Sequence, residues 1–281
     1  MSRSSAPTSA GSAAPARRRS PFPESRSGGS RMSAEPLFIF DLDNTLYPPE
    51  VLLWRIVDGR IERYVQERLG VDPAEARIVR KGYLREFGTT LRGLMHHHDV
   101  EPGEYLEYVH DVPIPEIVPP RPELAAMLSA LPGRRVVFTN GSESYARRVL
   151  SALGVSDAME EIYGIEFMEY RAKPSPYPYA KLLRTTGASA PNSLLCEDVR
   201  ENLVPARELG IFTVLVGRME DGGGDGRPRD LSRVAHAVLE DVCELPAVLP
   251  RFLSRENRGP AFGCAAGKGS GGGRRADGGE R

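Results

Sequence analysis

Leu37-Phe38-Ile39-Phe40 is an uninterrupted apolar run that stops at a carboxylate, Asp41, with a second carboxylate two positions on at Asp43. Four residues are too few for a helical face, and the lack of polar alternation places both faces of the segment in an interior. Runs of the same character recur as RRVVFTN at 134–140, SLLCED at 193–198 and IFTVLVG at 211–217. Helical patterns lie between them. SESYARRVLSALG opens on a capping residue, Ser142, and stops at Gly154; PYPYAKLLRTTG begins with prolines and ends at Gly187; RENLVPARELG ends at Gly210. Doubly buried strands alternating with helices specify an α/β fold whose parallel sheet is covered on both faces.

The stretch from Tyr47 to about Pro120 breaks this rhythm. It holds no convincing strand, and Ile56, Val57, Ile61, Tyr64, Val65 and Leu69 recur at helical spacing. EARIVRKGYLREFG, TTLRGLMHHHDV and PGEYLEYVHDV continue in the same style. The expected architecture is a Rossmann-like parallel-sheet core built from 35–46 and 121–253. A helical cap, 47–120, is inserted directly after the first strand. Residues 1–34 and 254–281 read as disordered tails, since a segment such as GCAAGKGSGGGRRADGGER cannot bury enough apolar surface to offset its ordering entropy. The Arg-, Ser- and Ala-rich start has the composition of an organelle transit peptide, but a solvated extension is the reading adopted.

Charge narrows the functional classes. Residues 1–33 carry +5 and residues 255–281 carry +3 against a total of -1, which leaves -9 on the body. An acidic body argues against a nucleic-acid polymer as partner. No run of about 18 apolar residues exists, so no membrane span is expected. Cys196, Cys243 and Cys264 have no metal-ligand or CxxC spacing, which suits a reduced, cytoplasmic chain.

The polar residues that carry chemistry fall where strands give way to loops: Asp41 and Asp43 after the first, Thr139 after the second, Glu197 and Asp198 after the third, and Lys173 in RAKPSP between the last two. In a parallel sheet these ends share one edge, where ligands bind. Each residue alone has an ordinary reading. Asp41 and Asp43 cap a turn, Thr139 is a strand residue with a satisfied hydroxyl, Lys173 is solvated surface, and Glu197-Asp198 caps the helix near Arg200. Together they suit the cleavage of an anionic ester, in which a divalent cation removes the repulsion between ester and carboxylate. Magnesium prefers oxygen ligands, and carboxylates at two strand ends supply them.

The order Asp-x-Asp-x-Thr in DLDNT, then Thr139, Lys173 and the Glu197-Asp198 pair, resembles the four motifs of the haloacid dehalogenase-like superfamily of phosphohydrolases, over nearly all of the body. The resemblance implies Asp41 as nucleophile and Asp43 as general acid and base. Thr139 and neighbouring amides, with Asn140 beside them, hold the phosphoryl oxygens, and Lys173 supplies positive charge. Mg²⁺ is expected on Asp41, on Asp198 and on the Asp43 main-chain carbonyl, with Glu197 behind them, because it is longer than the aspartate that many relatives carry there.

DLDNTLYPPE, FGTTLRGLM, YLEYVHDV and CEDVRENLVPARELG look similar to the bacterial pyrimidine 5′-nucleotidase branch. That likeness implies a pyrimidine nucleoside monophosphate such as UMP or CMP as the small-molecule phosphate ester, with Thr89, Thr90 and Arg92 of the cap touching the nucleoside. Phosphoglycolate or a sugar phosphate is the alternative within the same architecture, and a non-catalytic binding protein on a hydrolase fold is a further one. Consecutive histidines point in different directions on a helix, so His96-His97-His98 reads as cap packing rather than a chelate.

Overall fold

The computed structural model describes residues 35–217 and 231–254. Residues 1–34, 218–230 and 255–281, with Cys264 among them, lie outside the described residues. Among the described residues, six parallel strands form one sheet in the order β3-β2-β1-β4-β5-β6. They are β1 (Leu37–Phe40), β2 (Arg134–Phe138), β3 (Glu161–Tyr163), β4 (Ser193–Glu197), β5 (Phe212–Val216) and β6 (Ala237–Leu239). The four strands expected from apolar runs are present. The two that sequence pattern passed over, β3 and β6, have three residues each and lie at the sheet edges, too short for an apolar rhythm to register.

β1 is central, with Phe40 paired to Val137 of β2 on one side and to Cys196 of β4 on the other. The chain winds outward from β1 to β3, then returns to place β4 on the opposite side of β1. This reversal opens a crevice beyond the carboxyl ends of β1 and β4, the place where open α/β sheets take ligands. Alternate β1 side chains feed two cores: Phe38 and Phe40 pack with Val137, Leu194 and Phe212, while Leu37 and Ile39 pack with Val136, Phe138 and Leu195.

Between β1 and β2 the described chain is helical: α1 (Leu53–Leu69), α2 (Pro73–Phe87), α3 (Thr90–His98), α4 (Pro102–His110), α5 (Ile114–Ile117) and α6 (Pro122–Ser129). Local chemistry sets these boundaries. Asp72 accepts the amides of Ala74 and Glu75 to start α2, with Pro73 at its first position, and Gly88 ends it with φ +83°. Thr89 accepts the Arg92 amide to start α3. α7 (Glu143–Leu153) is capped by Ser142 and closed by Gly154, as its sequence implied. α8 (Pro176–Thr186) and α9 (Arg200–Glu208) cover the sheet, and α10 (Leu249–Leu253) closes the described chain. Among the described residues, no helix is long and apolar enough to cross a membrane.

Candidate active site

DLDNT folds as it does because β1 must end abruptly. The Asp41 amide still pairs with the Cys196 carbonyl at 2.9 Å, in register with β4, and the chain then turns so that the amides of Thr45 and Leu46 both reach the Leu42 carbonyl. Asn44 adopts φ 58°, a left-handed conformation that Asn tolerates better than most side chains. The turn directs Asp41 and Asp43 into the same crevice.

Asp41 is buried and bonded at both carboxylate oxygens. Lys173 Nζ donates to Oδ1 at 2.7 Å and the Thr45 hydroxyl to Oδ2 at 3.2 Å. The same ammonium donates to Glu197 Oε2 and to the Phe138 carbonyl, each at 2.7 Å. Lys173 is 2% exposed, so three oxygen partners account for a charge otherwise too costly to bury. Burial works against that charge, but Asp41 and Glu197 outweigh it and hold the ammonium protonated.

Glu197, expected to act behind the cation, is fully buried beside this ammonium. One oxygen is bonded to Lys173 and the other accepts the Val199 amide at 3.1 Å. The cap residue of α9 is Val199, and no side chain accepts a capping bond there. Asp198, next along the chain, is only partly buried and receives the Asn44 side-chain amide at 3.5 Å.

Carboxylate oxygens of Asp41, Glu197 and Asp198 lie within 4.8 Å of one another, and among the described residues this is the group able to hold a metal ion. Burial, then the neighbouring carboxylates, push both Asp41 and Asp198 well above the usual carboxylate range. A single ammonium does not neutralise this cluster. An all-oxygen donor set with surplus negative charge fits a hard divalent cation such as Mg²⁺. The triple histidine packs against α2 instead: His97 stacks on Tyr83 at 5.5 Å and 12°, and His98 Nε2 meets the Tyr83 hydroxyl at 2.6 Å.

Thr139 follows β2, and its hydroxyl oxygen accepts the Gly141 amide at 3.0 Å. Asn140 lines the crevice, but both ends of its amide engage the Lys173 main chain, donating to the carbonyl at 3.1 Å and accepting from the amide at 2.9 Å. It fixes the loop that delivers Lys173, a role its position in sequence did not reveal.

These residues open onto a cavity of about 550 Å³ that extends from the carboxyl edge of the sheet to the faces of α1, α2, α3 and α4. Thr89 and Thr90 line it beside Trp54, Leu84, Leu106 and Val109. The structure does not bring Arg92 there. Thr90, Leu91, Gly93 and Leu94 form the buried side of α3, and Arg92 is exposed and absent from the cavity wall. The cations that α2 places on the wall are Arg77, Arg80 and Lys81, which amphipathic spacing gave no reason to single out. Sequence reasoning also missed Tyr47 and Tyr145, whose hydroxyls both bond Asp43 Oδ1. Burial raises the Asp43 carboxyl above its ordinary range, and these two bonds oppose that rise. Tyr47 was in view as part of DLDNTLY, but nothing local marked Tyr145.

A family profile described as haloacid dehalogenase-like hydrolase matches residues 36–210. Phosphate metabolism protein 8 of Saccharomyces cerevisiae is 23% identical over 235 residues, covering 77% of this chain and 73% of that protein. A phosphoglycolate phosphatase of Neisseria gonorrhoeae is 28% identical over 188 residues, covering 62% of this chain and 77% of that protein. Two solved structures share the fold. One is a phosphatase of the same superfamily from Thermococcus onnurineus, with TM-score 0.52 and 18% identity, covering 76% of this chain and 97% of that one. The other is the L-2-haloacid dehalogenase of Xanthobacter autotrophicus, with TM-score 0.51 and 13% identity over 77% of this chain and 98% of that one.

Proposed function

This chain belongs to the haloacid dehalogenase-like hydrolases, and from that premise we propose that it is a Mg²⁺-dependent phosphomonoester hydrolase acting on pyrimidine nucleoside 5′-monophosphates. The observation that carries the reading is the pairing of two acids on one cavity wall with opposite surroundings. Asp41 is held beside an ammonium, and Asp43 is held by neutral hydroxyls. The first suits a nucleophile and the second an acid, and a dehalogenase has no need of a second acid to protonate its leaving group.

In this reading an Asp41 oxygen attacks phosphorus, the ester P–O bond breaks, and Asp43 gives its proton to the departing alkoxide. Asp43 then takes a proton from the water that attacks the aspartyl phosphate, and the P–O bond to Asp41 breaks to release inorganic phosphate. Lys173 holds Asp41 in place and offsets charge on the phosphoryl group, while Thr139 and the adjacent main-chain amides bind its oxygens. Asp41, Asp198 and the Asp43 carbonyl would hold Mg²⁺, which supplies neutralisation between the anionic ester and the carboxylates.

The cavity supports a large leaving group. About 550 Å³ with apolar walls from Trp54, Val57, Ile61 and Leu84 suits a nucleoside better than a two-carbon acid. Phosphoglycolate is the second reading, favoured by the name of the Neisseria relative and by the Arg77, Arg80 and Lys81 cations on the wall. The deciding experiment measures hydrolysis of UMP, CMP, phosphoglycolate, sugar phosphates and nitrophenyl phosphate with Mg²⁺, with Asp41→Asn as control. UMP or CMP should give the highest kcat/KM, and Asp41→Asn should be inactive on all. Preference for phosphoglycolate would replace the nucleotide assignment, and an active Asp41→Asn would remove the nucleophile.

A further inference from the structure

Asp43 is held from behind. The Tyr47 hydroxyl donates to its Oδ1 at 2.5 Å and the Tyr145 hydroxyl donates to the same oxygen at 2.7 Å. Both tyrosines are fully buried, and neither lines the cavity that Asp43 faces. They come from different parts of the fold, Tyr47 from the turn after β1 and Tyr145 from the first turn of α7, so the grip on Asp43 exists only when both are packed in place.

The packing around Tyr145 is tight on two sides. The His110 ring, from the last residue of α4, stacks on it at 4.3 Å and 14°, and His110 Nδ1 lies 3.0 Å from the Ser142 hydroxyl that caps α7. On another side is Gly141, where an added Cβ would come within 3.0 Å of Tyr145 Cδ1.

Resting on the phosphatase reading above, we propose that Tyr47 and Tyr145 are positioning residues that pin Oδ1 of Asp43 and leave Oδ2 to make the proton transfer. An oxygen that already accepts two O–H donors has no room for a proton of its own, so the acid's proton resides on Oδ2. When the ester P–O bond breaks, that proton passes to the leaving alkoxide oxygen and Asp43 becomes a carboxylate. The two hydroxyls continue to bond Oδ1 of this anion, and charge-assisted bonds are stronger than neutral ones. In the second half-reaction, Oδ2 takes the proton back from the attacking water. The tyrosines touch neither substrate nor phosphorus and act only through Asp43.

Tyr145→Phe and Tyr47→Phe keep the rings and remove the hydroxyls. The test is kcat and KM on UMP, or on whichever alkyl phosphate the wild type hydrolyses, beside single-turnover phosphorylation by nitrophenyl phosphate. Each variant should lose about tenfold in kcat on the alkyl ester with KM unchanged, a part of the ~10²–10⁴ carried by a whole general acid. Phosphorylation by nitrophenyl phosphate, whose leaving group needs little protonation, should change by less than about twofold. Damage to the fold would lower both alike, so equal losses, or no loss, overturn the inference. Should one variant fail to fold, the other carries the same test. A wild type that hydrolyses no phosphate ester overturns the phosphatase reading, and this inference with it. An active wild type with leaving-group-independent losses overturns the inference alone.

Discussion

At the scale of single residues, the site is governed by what each charge can reach. Lys173 makes three bonds because three oxygen acceptors converge where its chain ends, and this is why a fully buried ammonium is tolerated. His110 shows the opposite solution. It is buried against Tyr145 with Arg148 nearby, whose guanidinium donates to the His110 carbonyl, and burial first, then that positive charge, push its imidazole down to about 3. The folded chain therefore keeps His110 neutral where the unfolded chain protonates it. Stability present above pH 6.5 should be lost as the pH falls from there toward 3. Removing the titration should flatten that loss. His110→Phe, which keeps a ring on Tyr145, should show a pH dependence of unfolding free energy shallower than wild type by up to roughly 1.4 kcal/mol per pH unit between pH 6 and 4. Urea unfolding at a series of pH values checks it, and parallel curves for the two proteins would exclude the His110 contribution.

At the scale of elements, the helices between β1 and β2 share a seam. Arg80 of α2 pairs with Asp58 and Glu62 of α1, and Arg77 reaches Glu62 at 2.7 Å. α3 lies against α2 so closely that a Cβ on Gly93 would fall 2.2 Å from Tyr83 Cγ. That contact fixes the rotation of α3, turns Thr90 toward the cavity and leaves Arg92 outside it. Arg80→Ala should therefore lower kcat/KM for UMP several-fold more than for nitrophenyl phosphate, because it disturbs the wall around the leaving group. Arg92→Ala should leave both within about twofold, as surface substitutions away from special features usually do. Paired kinetics on the two substrates decide between the arginines, and a selective UMP defect in Arg92→Ala would reverse the assignment.

At the scale of the whole molecule, stability and catalysis compete at the carboxyl edge of the sheet. Asp41, Glu197 and Asp198 crowd together with Lys173 as the cation paired to Asp41 and Glu197, a repulsion that a bound divalent cation would relieve. Burial and the Asp41 and Glu197 charges raise the Asp198 carboxyl, so its ionised form costs folding free energy without metal. For an acid raised in this way, stability is greatest below its unfolded value and falls as pH rises toward its folded one. Asp198→Asn should raise Tm in chelator at pH 7 to 8. Mg²⁺ should raise the wild-type Tm by linkage and shift the variant much less. Calorimetric scans with and without Mg²⁺ supply the comparison, and an equal Mg²⁺ shift in both proteins would place the cation elsewhere.

The sequence by itself determined the alternation of strands and helices and the placement of Asp41, Thr139, Glu197 and Asp198 at strand ends. Both follow from local rules: side-chain period is set by backbone geometry, and Ser142, Thr89 and Gly154 act on their own turns. Tertiary structure alone decided which remote groups meet. Lys173 reaches Asp41 across 132 positions and Glu197 across 24, and Tyr145 reaches Asp43 across 102. These meetings depend on strand register and on the rotation of each helix about its axis, which packing of distant segments fixes. For the same reason a residue type beside a glycine, as Arg92 is, gave no measure of which way its side chain would face.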